Sequence, residues 1–186
     1  MISNKTYNNV INTLKNVGDN HYQIQTTTVG DIWQVDLAKE TKFPLMHINP
    51  VNVTTGQAQL NYNFQIFVMD LVSEKESWTN NAPVPAINFQ SAVRLGNEQE
   101  VLSDCLSICV DLIGIFRHSR QQSANAGTNA DDINAPIYFT DGEFTLEPFS
   151  ERFDNEVTGW VFTLTVEVEN TFQTCNIPMD TDGTGE

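Results

Sequence analysis

From Arg94 to Phe116 the chain reads RLGNEQEVLSDCLSICVDLIGIF, and its apolar side chains recur at steps of three and four. Leu102, Leu106, Cys109, Ile113 and Phe116 form one helical stripe, which Val101, Cys105, Ile108, Leu112 and Ile115 widen. Ser103, Asp104, Ser107, Asp111, Gly114 and His118 hold the opposite side. More than half of this helix is therefore apolar, as suits a helix that lies across a sheet and also meets a second helix. Asn97 and Glu100 stand at capping-box spacing, and Arg117, His118 and Arg120 suit the negative end of the dipole. A chain that commits its one long apolar helix to backing a sheet is built for shape and assembly.

The sequence on both sides of that helix is β-rich. Phe43 to Val53 and Gln57 to Val72 read as a hairpin joined at Thr54-Thr55-Gly56, with Gly56 available for positive φ. In the second arm Ala58, Leu60, Tyr62, Phe64, Ile66 and Val68 alternate with Gln57, Gln59, Asn61, Asn63 and Gln65, which gives one wet face. Phe67, Met69 and Leu71 then make the other face apolar, so that end of the strand is covered on both sides. Pro44 and Pro50 place the first arm at a sheet edge. Ile137 to Phe153 and Gly159 to Asn170 form a second antiparallel pair. Trp160, Phe162, Leu164, Val166 and Val168 point inward there, opposed by Phe144, Leu146 and Pro148.

Around these elements, Tyr7, Val10, Ile11, Leu14 and Val17 predict an N-terminal helix over Thr6 to Val17, stopped at Gly18. His21 to Leu37 is an irregular strand or loop anchored by Trp33. Residues 73–96 form a flexible loop that carries Trp78, Ile87 and Phe89, apolar side chains suited to docking on the same subunit or the next. Residues 121–135 form a second flexible loop. The expected fold is α+β: one domain over residues 1–170, with a mixed, mainly antiparallel sheet whose long hairpins pack on two helices. Residues 171–186 are an acidic C-terminal tail.

Charge narrows the partners. The net charge is −15, and from Asp131 to Glu186 thirteen acids face a single base, Arg152. Nucleic-acid binders concentrate Lys and Arg, so this surface repels DNA rather than grips it. No apolar run approaches the ~18 residues of a membrane span, and the N-terminus lacks a signal-peptide core, so no membrane partner is expected. Cys105, Cys109 and Cys175 form no CxxC pair and read as reduced thiols of a cytosolic protein, or of a particle assembled there.

Reactive groups do not cluster. His21, His47 and His118 fall on a connector, a strand and a helix end. There is no GxSxG and no phosphate-binding glycine loop. Asp180 to Gly183 opens like a calcium loop but lacks the closing Glu. Asp141, Glu143, Glu147, Glu151, Asp154 and Glu156 read as a solvated face. The expectation is no enzyme, no cofactor and no metal.

Four phrases together carry a family resemblance: VGDIWQVD, FPLMHINPVNV with LNYNFQIFVMDLV, EVLSDCLSICVDLIGIF, and FTLEPFSERFDNEVTGWVFTLTVEV. In their order and spacing, over most of residues 6–170, they resemble the tail terminator and neck proteins of tailed bacteriophages. The resemblance implies a structural virion protein, assembled in the host cytoplasm. Such a protein forms a homo-oligomeric ring, usually of six subunits, at the head–tail junction, where it caps the tail tube or joins it to the neck. The partners implied are the tail tube and the portal, adaptor or other neck proteins, with DNA passing through the lumen unbound. Related folds serve as ring or hub adaptors in short-tailed phages, and a non-viral ligand-binding module is the competing reading. Trp33, Tyr62, Phe64, Trp78 and Phe89 are the residues expected at the subunit interface.

Overall fold

A computed structural model of the chain describes residues 7–31, 41–56, 59–72, 97–126, 140, 143–152 and 156–169. The two halves of the sequence join in one five-stranded sheet, ordered β1-β2-β3-β5-β4. Its strands are β1 (Thr26–Val29), β2 (Leu45–Thr55), β3 (Gln59–Leu71), β4 (Leu146–Arg152) and β5 (Glu156–Glu169). The β1–β2 pair is parallel and all the others are antiparallel. The architecture is α+β, as the sequence predicts. The central event is the pairing of β3 with β5 along their whole length, from Gln59↔Glu169 to Leu71↔Val157.

Helices α1 (Tyr7–Asp19) and α2 (Glu98–Ala126) cover one face of this sheet. Val10 and Leu14 of α1, and Val101, Cys105, Ile108, Cys109, Leu112, Ile113 and Phe116 of α2, join one buried cluster. The sheet contributes Met46, Ile48, Tyr62, Phe64, Ile66, Val68, Phe162, Leu164, Val166 and Val168 to it. The two-residue repeat of β2, β3 and β5 puts each of these side chains on the helix side. Trp160 fastens β5 to α2 by donating its indole N–H to the Leu102 carbonyl at 2.8 Å.

Several details differ from the sequence reading. Helix α2 continues to Ala126, through the first part of the segment expected to be a loop. Its buried stripe is centred on Cys105, Ile108 and Leu112, while Ile115 is exposed. Gly56 does not take a positive φ: the hairpin closes by its N–H donating to the Gln59 carbonyl at 2.8 Å. The positive φ among the described residues is at Gly30, just past β1. Strand β2 is an interior strand through Ile48, where β1 flanks it, and among the described residues it is an edge only beyond that point. Pro50 lies at the change, next to a bulge before Asn52. Trp33, Trp78 and Phe89, the loop expected over 73–96 and the tail 171–186 lie outside the described residues.

Two cysteines on α2 are deep in this core. Burial pushes the thiols of Cys105 and Cys109 up to about 12, with the Asp70 and Asp104 carboxylates adding to the effect at Cys105. At neutral pH the thiolate, the reactive form, is nearly absent. In a Cys175→Ser background, a thiol reagent at pH 7.5 should therefore label the native protein far more slowly, by at least about 100-fold, than the urea-unfolded chain. Equal rates would contradict the burial.

Candidate functional site: the sheet face away from the helices

The opposite face of the sheet is divided in two. At one end Leu45, Met69 and Val157 are buried, with Phe43, Phe67 and Phe149 packed against them. The Phe67 and Phe149 rings meet edge to face at 5.6 Å. Met69 and Phe67 thus cover this face of β3 as the sequence predicts, whereas Leu71, expected with them, is exposed.

His47 closes that end. Its Nε2–H donates to the Gly30 carbonyl at 3.0 Å, an atom that can only accept. The neutral ring thus leaves Nδ1 to accept the Thr28 hydroxyl at 2.8 Å. The parallel pair β1–β2 is therefore tied by a side chain as well as by its ladder. Burial lowers the His47 pKa below its ordinary value, opposed by the Gly30 hydrogen bond and by Asp31. Asp70 shifts the other way: burial raises its pKa, and nearby Asp104 adds to this, against the hydrogen bond from the Leu71 N–H.

The two groups affect stability with opposite signs. Below pH 6.5 the unfolded chain binds a proton at His47 that the fold resists, so stability falls as pH drops through that range. Asp70 binds its proton more readily when folded, so its ionisation opposes folding above pH 3.8. Asp70→Asn keeps an acceptor for Leu71 and should raise the melting temperature at pH 7 by about 1–3 °C. His47→Gln should flatten the loss of stability between pH 7 and 5. Urea midpoints across that range check both, and an unchanged pH slope in His47→Gln would contradict the assignment.

Toward the hairpin the face becomes a sheet of amides and hydroxyls. Asn49 Nδ2 donates to Gln65 Oε1 at 3.2 Å, Asn63 Nδ2 to Asn52 Oδ1 at 2.6 Å, and Thr165 Oγ1 to Asn63 Oδ1 at 2.7 Å. These bonds couple β2, β3 and β5 side to side and hold the amides in place. Gln65, Thr145, Thr163 and Val161 border a hollow of about 240 Å³, flanked by Glu143 and Glu147. By register, the charged strand positions on this face are Glu147, Glu151, Glu167 and Glu169; Arg152, the one Lys or Arg among the described strand residues, holds a register position of the other face. Such a surface offers neutral hydrogen-bonding groups framed by negative charge. Its described residues include no nucleophile–base pair. Among the described residues no three His, Cys, Asp or Glu side chains converge as a metal site needs.

A second concavity, of about 690 Å³, lies between α1 and α2 and is lined by Thr13, Val17, His21, Tyr22, Asp111 and Ile115. His21 Nε2 is 3.7 Å from Asp111 Oδ2 across it. Tyr22 is fully exposed at its lip. No helix among the described residues is long and apolar enough to cross a membrane.

The interface residues expected from sequence fare poorly here. Tyr62 and Phe64 are 6% and 1% exposed, packed under the helices within the subunit. They are therefore core residues of the subunit, not the exposed surface residues the expectation assumed. Alternation had already placed them opposite the wet face, so the residue type misled where the period did not. The amides and hydroxyls that do face outward, Asn49, Asn52, Asn63, Gln65, Thr163 and Thr165, were missed as a site. The Asn/Gln run of β3 signalled part of it, but the β3–β5 pairing that adds Thr163 and Thr165 left no local signal. Comparison with protein-family models gives no match, and comparison with curated proteins gives none.

Proposed function

We propose that this chain is a structural virion protein of a tailed bacteriophage, a ring subunit at the head–tail junction that ends the tail tube or joins it to the neck. The observation that carries the reading is the amide and hydroxyl face of the sheet, framed by Glu147 and Glu167, with no Lys or Arg at the described strand positions of that face. Turned toward the axis of a ring, such a surface would let DNA slide. It offers no cation for phosphate to bind, and its carboxylates repel the backbone at short range. The overall charge of −15 on each subunit adds to the effect. The sequence phrases that resemble terminator and neck proteins point the same way. In this reading the chain acts as a homo-oligomer, most simply a hexamer, in contact with the tail tube and with portal, adaptor or neck proteins. It assembles in the host cytoplasm and ends in the virion.

Light scattering on a size-exclusion column tests this over a range of concentrations. The reading expects a large species of defined mass that grows with concentration, and a strict monomer throughout would overturn it. The hollow between α1 and α2 supports one other reading, a ligand-binding module. That reading requires a monomer whose melting temperature rises with a small apolar ligand, and Ile115→Trp, which fills the hollow, would abolish the shift.

A further inference from the structure

Past Ile48 the sheet narrows to three strands. Strand β1 ends its pairing with β2 at Val29↔Ile48, and β4 begins its pairing with β5 at Leu146↔Phe162. Strands β2, β3 and β5 run on together to Thr55, Gln59 and Glu169. Asn49–Thr55 of β2 and Thr163–Glu169 of β5 are thus the two margins of this lobe, and among the described residues no strand pairs with either.

The outward backbone groups follow from the register. The Gly30 N–H donates to the Ile48 carbonyl, so Ile48 faces away from β3. Alternation then turns Pro50 outward too, where its missing N–H leaves no gap in the β2–β3 ladder. Beyond the bulge, Asn52 and Thr54 face β3, and Val53 and Thr55 face out. On the other margin Phe162, Leu164, Val166 and Val168 bond toward β3, so Thr163, Thr165 and Glu167 turn their N–H and C=O groups out. Unpaired edges of this kind are templates for strand addition.

We propose that the β2 margin of one subunit pairs with the β5 margin of the next, so that a second copy of this chain is the partner of both. Charge selects this combination. The β2 margin has no ionisable side chain, whereas the β5 margin carries Glu167 and Glu169. Joining two β5 margins would stack carboxylates on each other. Joining two β2 margins would close a twofold dimer and leave both β5 margins open. Pairing unlike margins propagates head to tail and can close into a ring.

Strand direction gives the geometry. Both β2 and β5 are antiparallel to β3, so they run the same way. Copies related by rotation about an axis therefore meet with parallel strands and keep the same face on the same side. Asn52 and Thr54 of one copy continue the row of Thr165 and Glu167 of its neighbour. The neighbour also covers Val51 and Val53, which stand 51% and 47% exposed on an otherwise polar margin. This inference rests on the ring reading and names the contact that builds the ring.

The test measures assembly by sedimentation velocity for the wild type, Val53→Pro, Thr54→Glu and Thr54→Lys. Val53→Pro removes an outward N–H and no bond to β3. It should weaken assembly at least about tenfold while the circular dichroism spectrum is retained. Thr54→Glu sets a carboxylate against Glu167 of the neighbour and should also weaken assembly, whereas Thr54→Lys should assemble at least as well as the wild type. A monomeric wild type would overturn the ring reading and this contact with it. An oligomeric wild type whose Val53→Pro and Thr54→Glu variants assemble equally well would overturn the contact alone. If Val53→Pro fails to fold, the Thr54 pair decides: Thr54→Glu weaker than Thr54→Lys supports the contact, and equal assembly overturns it.

Discussion

Gly159→Val should leave little native protein at 37 °C. Gly159 lies on β5 opposite Met69, where β3 passes so close that an added Cβ would collide with the Val68 carbonyl oxygen and lie 2.8 Å from Met69 Cα. Both obstacles are backbone atoms of a paired strand, so no side chain can rotate away. To make room, β5 must separate from β3, and the pairing that unites the two halves of the chain must open. Even Gly159→Ala should cost about 3 kcal/mol or more, at the upper end of what overpacking does. Thermal melting of Gly159→Ala beside Leu71→Ala, an exposed position on the same strand pair, checks this. A loss at Gly159 no greater than at Leu71 would contradict the close approach.

Phe64→Ala should be the next most damaging change, at about 3–5 kcal/mol. The ring is 1% exposed and sits in the cluster that joins both helices to the sheet. As an interface residue, Phe64 would lose assembly on truncation and leave the subunit stable. As a core residue it does the reverse, with the unfolding midpoint falling steeply even in dilute protein. Urea denaturation at a concentration where the wild type is dissociated separates these cases. A midpoint within about 0.5 kcal/mol of wild type would contradict the core assignment.

The elements were legible because each carries its own period. The three- and four-residue steps of α2 and the strict alternation of Leu60 to Val68 and of Trp160 to Val168 identify helix and strands from sequence alone. They also identify the buried side of each strand. Two things were not legible. One was the seam between the halves, because the bond from Thr165 to Asn63 links positions 102 residues apart and nothing local marks it. The other was the parallel strand β1: Thr26 to Val29 is short and partly exposed, and its place depends on His47 reaching Thr28 and Gly30. The end of α2 was misread for a related reason. Residues 121–126 have too few apolar side chains to signal a helix, yet they continue one already nucleated by the buried turns before them. The candidate surface fell between these cases. The amides of β3 were visible as a wet face, but wetness alone does not distinguish a working surface from plain solvation.

Electron cryomicroscopy of the assembled protein tests the central claim most directly. It should show a closed ring with Asn49, Asn63, Gln65 and Thr163 turned toward the axis and α1 and α2 outside. A ring with its helices or its Lys and Arg residues around the axis would contradict the account, as would particles no larger than one subunit.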